Sequence, residues 1–141
     1  MKKYIILAII VIVAVCSISY VYANYRINNI QAGDNNKIYT DIYNKEITGN
    51  EFASIINKSI DKNEQNKVQK DDKGFYFEND TNSIIIEVKF KDSENIFRTE
   101  SITNNGIENF IKLYANFKFK CTKIEYHNKT NYVSYLYFEE I

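Results

Sequence analysis

This chain of 141 residues has no proline and no tryptophan, and it contains only four glycines, two cysteines and one histidine. Four glycines leave little material for a glycine-rich loop that cradles a phosphate group. The two cysteines and one histidine do not supply the paired ligand spacing of a zinc site or a framework of disulfides. These shortages exclude the common sequence signatures of nucleotide-binding, zinc-binding and disulfide-rich proteins.

Four residue types supply half of the chain: 23 Ile, 19 Asn, 16 Lys and 12 Tyr. Their codons are A/T-rich, so the bias is typical of an AT-rich genome and says little about function. Beyond Ala23 there are 16 Lys and Arg against 18 Asp and Glu, with the two signs interspersed. Because no basic patch forms, nothing in the sequence indicates nucleic-acid binding.

The longest apolar run, Tyr4 to Ala23, carries no charge. About 20 such residues in a helix reach across the hydrocarbon core of a bilayer, where backbone polar groups must be bonded within their own segment. Lys2 and Lys3 precede the run and Arg26 follows it, which favours an N-terminus inside and a C-terminus outside the cell. Three tyrosines fit an aromatic belt at the outer interface: Tyr20, Tyr22 and Tyr25.

Four interpretations of this run compete. A retained single-span anchor is favoured by its length. A secretory signal cleaved after Ala23 is the main alternative, since Val21-Tyr22-Ala23 has the pattern of a cleavage site. A buried core helix is disfavoured because the rest of the chain is too small to cover it, and a lipoprotein signal at Cys16 because bulky Val13 and Val15 precede it. Both leading interpretations place the remainder outside the cytoplasm.

We expect residues 24–37 to form a polar tether, with an extension of the membrane helix into it as the alternative because Ile27 and Ile30 share a face, and residues 38–141 to form one domain. Residues 38–47, rich in β-branched and aromatic side chains, predict a strand. Thr48 and Glu51 have the spacing of a capping box and predict a helix start. Apolar residues then recur at helical spacing: Phe52, Ile55, Ile56 and Ile60. Residues 63–73 form a charged stretch expected to be loop or fraying helix.

The second half of the chain predicts strands at 75–78, 84–90 and 96–99 and a helix at 107–114. It ends in a hairpin of residues 117–126 and 132–138, with a bulge near Thr122-Lys123 and a central second strand covered on both faces. The fold class is therefore α+β, with two helices on one face of a largely antiparallel sheet of about five to six strands.

Candidate catalytic and metal-binding residues do not assemble in the sequence. His127 lies six residues from Cys121, about 20 Å along an extended strand, which disfavours a Cys–His dyad. We expect His127 to be a solvated residue at a turn and Cys121 to be a small buried hydrophobe. Four acidic residues lack the spacing of a calcium-binding loop and are expected to be solvated: Asp71, Asp72, Glu78 and Asp80. No catalytic, cofactor-binding or metal-binding residue is predicted.

The aromatic residues of the C-terminal hairpin admit two interpretations. They either form the core and rim of the sheet, which is favoured in a domain without Trp, or present an exposed binding face. The residues are Tyr126, Tyr132, Tyr135, Tyr137 and Phe138.

Two segments, Gly49-x-Glu51 with Ile56-Asn57-Lys58 and the run from Phe119 to His127, resemble small single-span proteins of clostridial-type Gram-positive bacteria. That resemblance implies location and compactness but no activity. The overall plan also resembles type IV pilins and pseudopilins, although this chain has Ala8 rather than Glu at the fifth position of its apolar run.

We therefore expect a non-enzymatic, membrane-anchored domain outside the cytoplasm that binds a protein partner or scaffolds a surface assembly. A pilin-like structural subunit, a secreted protein with a cleaved signal, and a hydrolase or transferase with an unrecognised site are the alternatives.

Overall fold

The computed structural model describes residues 2–104 and 106–141. Its elements, in chain order, are α1 (Lys2–Thr40), β1 (Glu46–Thr48), α2 (Gly49–Gln65), β2 (Ile85–Lys89), β3 (Ile96–Arg98), α3 (Thr99–Thr103), α4 (Ile107–Tyr114), β4 (Lys118–Tyr126) and β5 (Val133–Glu140). The predicted α+β fold, with a long apolar N-terminal helix and helices packed on a five-stranded sheet, is confirmed.

Helix α1 is longer than the apolar run alone predicts. It continues for 39 residues through the Asn-rich segment 24–37, which is helical in the structure, and ends at Thr40. The strand predicted over 38–47 is therefore wrong for most of its length, and only Glu46–Thr48 is extended. Tyr39 explains the error, because its ring is buried against the domain and this packing outweighs the β-propensity of Ile38 and Tyr39.

The sheet has the strand order β1-β4-β5-β2-β3. The pairs β1–β4, β4–β5 and β2–β3 are antiparallel, whereas β2 and β5 run parallel, with Ile86 opposite Leu136. The register of β4 shifts between Cys121 and Lys123, which confirms the predicted bulge. The strand predicted at 75–78 is wrong, since this segment makes only a single bridge, between Lys70 and Tyr76.

One face of the sheet carries the hydrophobic core. Phe52 of α2 is fully buried, and its ring lies 4.8 Å from that of Phe119 and 4.4 Å from that of Phe138. Phe110 of α4 closes the cluster, with its ring 5.7 Å from Phe52. β5 is central, as predicted, but the helices cover only the face that carries Leu136 and Phe138. The other face presents half-buried tyrosines and charges, as antiparallel sheets often do.

Helix α2 begins where its capping residues predict. Thr48 Oγ1 accepts the Glu51 backbone N–H, and Glu51 Oε2 accepts the Thr48 N–H at 2.7 Å, which completes the capping box. Gly49, the first residue of α2, is buried beside the end of α4, where an added Cβ would lie 1.8 Å from the Tyr114 carbonyl oxygen. Only glycine allows the two helices to approach this closely.

Candidate functional site

The apolar half of α1 is the most unusual surface of the molecule. One helix in the described residues has the length and composition to cross a membrane, with a mean hydropathy of 2.8 over its most apolar 18-residue window. None of that window is buried by the rest of the chain. Representative side chains such as Ile10 and Ile12 are about three-fifths exposed. By its length and composition this helix suits a membrane span, and a signal sequence near an N-terminus has the same properties.

The other end of α1 is built into the domain. Asn36 Nδ2 donates to the Asn131 carbonyl oxygen at 2.7 Å, and Asn36 Oδ1 accepts the Val133 backbone N–H at 2.8 Å. Asn29 Oδ1, about two helical turns nearer the apolar half, accepts from Asn131 Nδ2 at 3.0 Å. The turn before β5 is therefore bonded directly to α1. The helix has no break between these residues and the apolar run. The apolar run and the domain are therefore joined by one continuous helix.

Two further contacts fix α1 against α2. Lys62 Nζ donates to Asn35 Oδ1 at 2.7 Å, and the Tyr39 and Ser59 hydroxyl oxygens lie 3.2 Å apart. Burial raises the pKa of Tyr39, so its hydroxyl stays protonated at neutral pH. Between the two helices and the start of β5 lies a small cavity of about 120 Å³, lined by Asn66 and Tyr132 among others. A volume of this size holds a few waters rather than a substrate.

His127 is buried, with 5 % of its surface exposed, so its prediction as a solvated residue is wrong. Its Nε2 lies 2.7 Å from the Ser83 carbonyl oxygen. Since a carbonyl oxygen can only accept, Nε2 carries the proton in this contact. The ring therefore ties the β4–β5 turn to the loop before β2, and this nitrogen is not available as a general base.

The loop bonded by His127 is itself organised by one asparagine. Asn79 Oδ1 accepts backbone N–H groups from Thr81, Asn82 and Ser83 at 2.8 to 3.1 Å. Ser83 Oγ in turn accepts the Asn79 N–H at 2.8 Å. This arrangement is an Asx turn, in which a side chain replaces the backbone acceptor.

Cys121 is fully buried in β4, which confirms its prediction as a buried hydrophobe. Burial raises the pKa of its thiol to about 11, so the nucleophilic thiolate is scarce at neutral pH.

The four acidic residues do not gather. Asp71 Oδ1 accepts the backbone N–H groups of Lys73 and Phe75, and Asp80 pairs with Lys129 at 2.7 Å. This lysine lowers the pKa of the Asp80 carboxyl. In the described part of the chain, no three His, Cys, Asp or Glu side chains come close enough together to hold a metal ion.

A groove of about 470 Å³ lies between the β4–β5 turn and the loop at 78–80. Its lining is polar and includes Glu78, Glu125 and Lys129. His127 borders it, but the ring is already bonded to Ser83. Ser134 also lines the groove, and the bond from His127 Nε2 to the Ser83 carbonyl oxygen leaves that ring nitrogen unable to act as a base there.

The aromatic residues of the hairpin divide between core and surface. Phe138 is fully buried, Tyr135 and Tyr137 are half-buried on the uncovered sheet face, and Tyr126 is 46 % exposed. Tyr135 donates to Glu87 Oε2 at 2.7 Å, and burial followed by this carboxylate raises its pKa. Lys123 pairs with Glu125 at 2.6 Å on the same face. These polar contacts and the burial of Phe138 favour the core-and-rim interpretation over an exposed aromatic binding face.

The contacts that position α1 were not found by sequence reasoning. Asn36 and Asn63 use their amides in the same way: Asn63 Nδ2 donates to the Ile84 carbonyl oxygen, and Asn63 Oδ1 accepts the Ile84 N–H, at 2.7 and 2.8 Å. Asn36 is 8 % exposed and Asn63 only 1 %. The only signal in the sequence was that each of these two asparagines falls at a helical position that faces the domain. In a chain with 19 asparagines, that position did not distinguish them from the others.

Comparison with protein-family models, with curated proteins and with solved structures finds no match to this chain.

Proposed function

We propose that this chain is a single-span membrane protein whose α+β domain stands outside the cytoplasm and binds a protein partner without catalysing a reaction. The observation that carries the proposal is α1 itself. An exposed apolar helix long enough to cross a bilayer continues without a break into hydrogen bonds with β5, the central strand of the domain. A continuous helix of this kind holds a domain at a set distance and orientation from a membrane.

The retained anchor is preferred over a cleaved signal because Ala23 lies within a continuous helix. Eight residues, 24–31, separate it from Ala32, the first α1 residue buried in the domain. The domain already contacts α1 at Asn29, six residues after Ala23, so at ~1.5 Å per residue it begins about 9 Å beyond the apolar run. Lys2 and Lys3 at the other end support an N-terminus inside the cell.

Partner binding is supported by apolar side chains at the end of the domain that points away from α1. β5 runs from Val133, beside α1, to this far end, where Leu113 is 67 % exposed and Phe117 and Ile141 are each 45 % exposed. The Phe117 ring packs edge-on to Tyr114 at 5.4 Å, which holds it in place. The Ile141 N–H bonds to the carbonyl oxygen of Lys118, the residue after Phe117, and neighbouring exposed apolar residues are typical of protein contact surfaces.

A non-enzymatic role is supported by the structural contacts of His127 and Cys121, the two side chains that could best act as a base or a nucleophile. His127 is bonded to the Ser83 carbonyl oxygen, and the Cys121 thiol is buried with a raised pKa.

Orientation is tested by adding protease to cells stripped of their wall. We expect the domain to be digested in intact stripped cells, while a tag placed before Lys2 is cut only after lysis. Protection of the domain in intact stripped cells would contradict the proposal. For partner binding, a photo-crosslinking residue at Leu113 is expected to yield an adduct in cells. The same residue at Lys58, exposed on α2, is the matched control.

A pilin-like structural subunit is the second candidate. The observation that favours it is a helix whose first part is apolar and free and whose last part packs on an α+β domain. Purification of the protein in stoichiometric amounts with a surface filament would support this candidate, whereas recovery as a free membrane protein would oppose it.

A further inference from the structure

We propose that the turn between β4 and β5 lies against the lipid headgroups of the membrane that holds α1. We define the membrane-facing tip as residues 128–130 of this turn and residues 80–81 of the neighbouring loop. The proposal rests on the proposed membrane anchor and goes beyond it, because it assigns a second contact surface on the domain and names the phospholipid headgroup layer as its partner.

The height of the tip above the bilayer is set by a hydrogen bond to α1. Asn131, which directly follows the tip in the chain, donates from Nδ2 to Asn29 Oδ1 at 3.0 Å. Asn29 lies six residues after Ala23, where the apolar run ends, and so about 9 Å beyond that end at a rise of ~1.5 Å per residue. The polar headgroup layer on each side of a bilayer is roughly 5 to 8 Å thick. The tip is therefore at the outer edge of this layer, within reach of an exposed side chain.

The other end of the domain lies much farther from the bilayer. Helix α2 runs opposite to α1, since Lys62 bonds to Asn35 whereas Ser59, one turn earlier, lies beside Tyr39, one turn later. The start of α2 is therefore farther from the apolar run than its end. Asn50, exposed at that start, lies nine residues before Ser59 and so about 13 Å beyond it. Asn50 thus serves as a reference position away from the membrane.

Direct contacts hold the tip in one shape. Thr130 Oγ1 donates to the Thr81 carbonyl oxygen at 2.6 Å, and Lys129 pairs with Asp80 at 2.7 Å. The two parts of the tip are therefore tied to each other and, through Asn131, to α1. Because α1 continues without a break into the apolar run, the tip stays at its height unless these contacts break.

The chemistry of the tip suits headgroups through polarity and not through net charge. Asn128 and Lys129 are exposed, and their amide and ammonium groups can donate to phosphate oxygens. In the pair of Lys129 with Asp80 the two side chains are 65 % and 77 % exposed, and exposed pairs of this kind contribute little to stability. Lys129 can therefore exchange Asp80 for a phosphate at little cost. Since the tip holds one cation and one anion, the anchor and not charge brings it to the bilayer.

The test uses the full chain in phosphatidylcholine vesicles that contain, in both leaflets, a lipid with a nitroxide on its headgroup. In a Cys16→Ala background, Asn128→Cys carries a fluorescent label at the tip, and Asn50→Cys carries it at the matched control position. We expect the nitroxide to quench the label at position 128 at least about threefold more strongly than at position 50, because the tip is at the headgroup layer.

A second variant changes the height of the tip while leaving the tip itself intact. Seven helix-forming residues, alanines with one glutamate and one lysine, are inserted after Arg26. They lift the domain by about 10 Å and return it to nearly the same side of α1, since seven residues make about two turns. Quenching at position 128 should then fall to the level at position 50. Quenching that the insertion does not change would contradict the proposal.

Flotation of the same vesicles separates the possible failures. Protein that floats but is quenched equally at the two positions contradicts the headgroup contact and leaves the anchor standing. Protein that does not float contradicts the anchor and the contact together.

Discussion

Asn36 Oδ1 accepts the backbone N–H of Val133 at 2.8 Å, so the N-terminal helix is bonded to the first residue of the central strand. The Asn36 amide also donates to Asn131, and the side chain is 8 % exposed. One buried side chain therefore satisfies two backbone groups of a turn that would otherwise lack partners. This contact makes the C-terminal end of α1 an integral part of the domain.

Replacement of Asn36 should destabilise the domain. Asn36→Ala leaves the Val133 N–H and the Asn131 carbonyl oxygen without partners, at a cost of about 2 kcal/mol in the free energy of unfolding. The measurement is urea denaturation of the full chain in detergent. Asn28→Ala, at an exposed position of the same helix, is the matched control and should change the value by less than about 0.5 kcal/mol. Equal effects of the two substitutions would show that the Asn36 bonds are unimportant.

The two glycines on helices should respond in opposite directions to alanine. At Gly49 the new Cβ would lie 1.8 Å from the Tyr114 carbonyl oxygen, so α2 and α4 must separate, and we expect a loss of about 3 kcal/mol. Gly33 has no atom within 4 Å of the added Cβ. Gly33→Ala should therefore stabilise α1 by up to about 1 kcal/mol through helix propensity. Thermal denaturation of both variants measures the difference, and a tolerated Gly49→Ala would contradict the close approach.

The capping box predicts a dependence of stability on pH. Hydrogen bonds from the Thr48 backbone N–H and hydroxyl hold the pKa of Glu51 below its ordinary value of 4.5. A lowered pKa in the folded state adds stability that is complete above the unfolded pKa and is lost as pH falls through the folded value. Glu51→Gln should therefore flatten the stability profile below about pH 4.5. Thr48→Ala should cost about 1 kcal/mol at neutral pH. If the stability of the Glu51→Gln variant and that of the original chain depended on pH in the same way, the capping box would not contribute to stability.

The buried thiol should be inert until the domain unfolds. In a Cys16→Ala chain, Cys121 is the remaining cysteine, and its pKa is raised to about 11 by burial. We expect negligible reaction with an aqueous thiol reagent at pH 7 in detergent and complete reaction in denaturant. Rapid labelling of the folded chain would mean that β4 opens readily.

Local sequence patterns predicted the helices and strands in which the spacing of apolar residues directly marks the buried face. Thr48 and Glu51 predicted the start of α2, and the alternation through Ile86 and Val88 predicted β2, because each pattern reflects one buried face. The parallel pairing of β2 with β5 was not predicted, since it depends on a match between Ile86 and Leu136, 50 positions apart.

The candidate site was harder to predict than the fold. His127 was expected in solvent because its neighbours are turn residues, yet the Ser83 carbonyl oxygen that buries it comes from a loop 44 positions earlier. The strand expected at Tyr39 is helical because Ser59 of α2 packs beside its hydroxyl. In both cases a contact distant in sequence overrides the local preference.

The central proposal, that the apolar half of α1 stays attached and holds the domain at a membrane, is tested most directly by the intact mass of the protein in carbonate-washed membranes. We expect the mass of the full 141-residue chain in the membrane fraction. A chain that begins at Asn24 and is recovered from the medium would contradict the account.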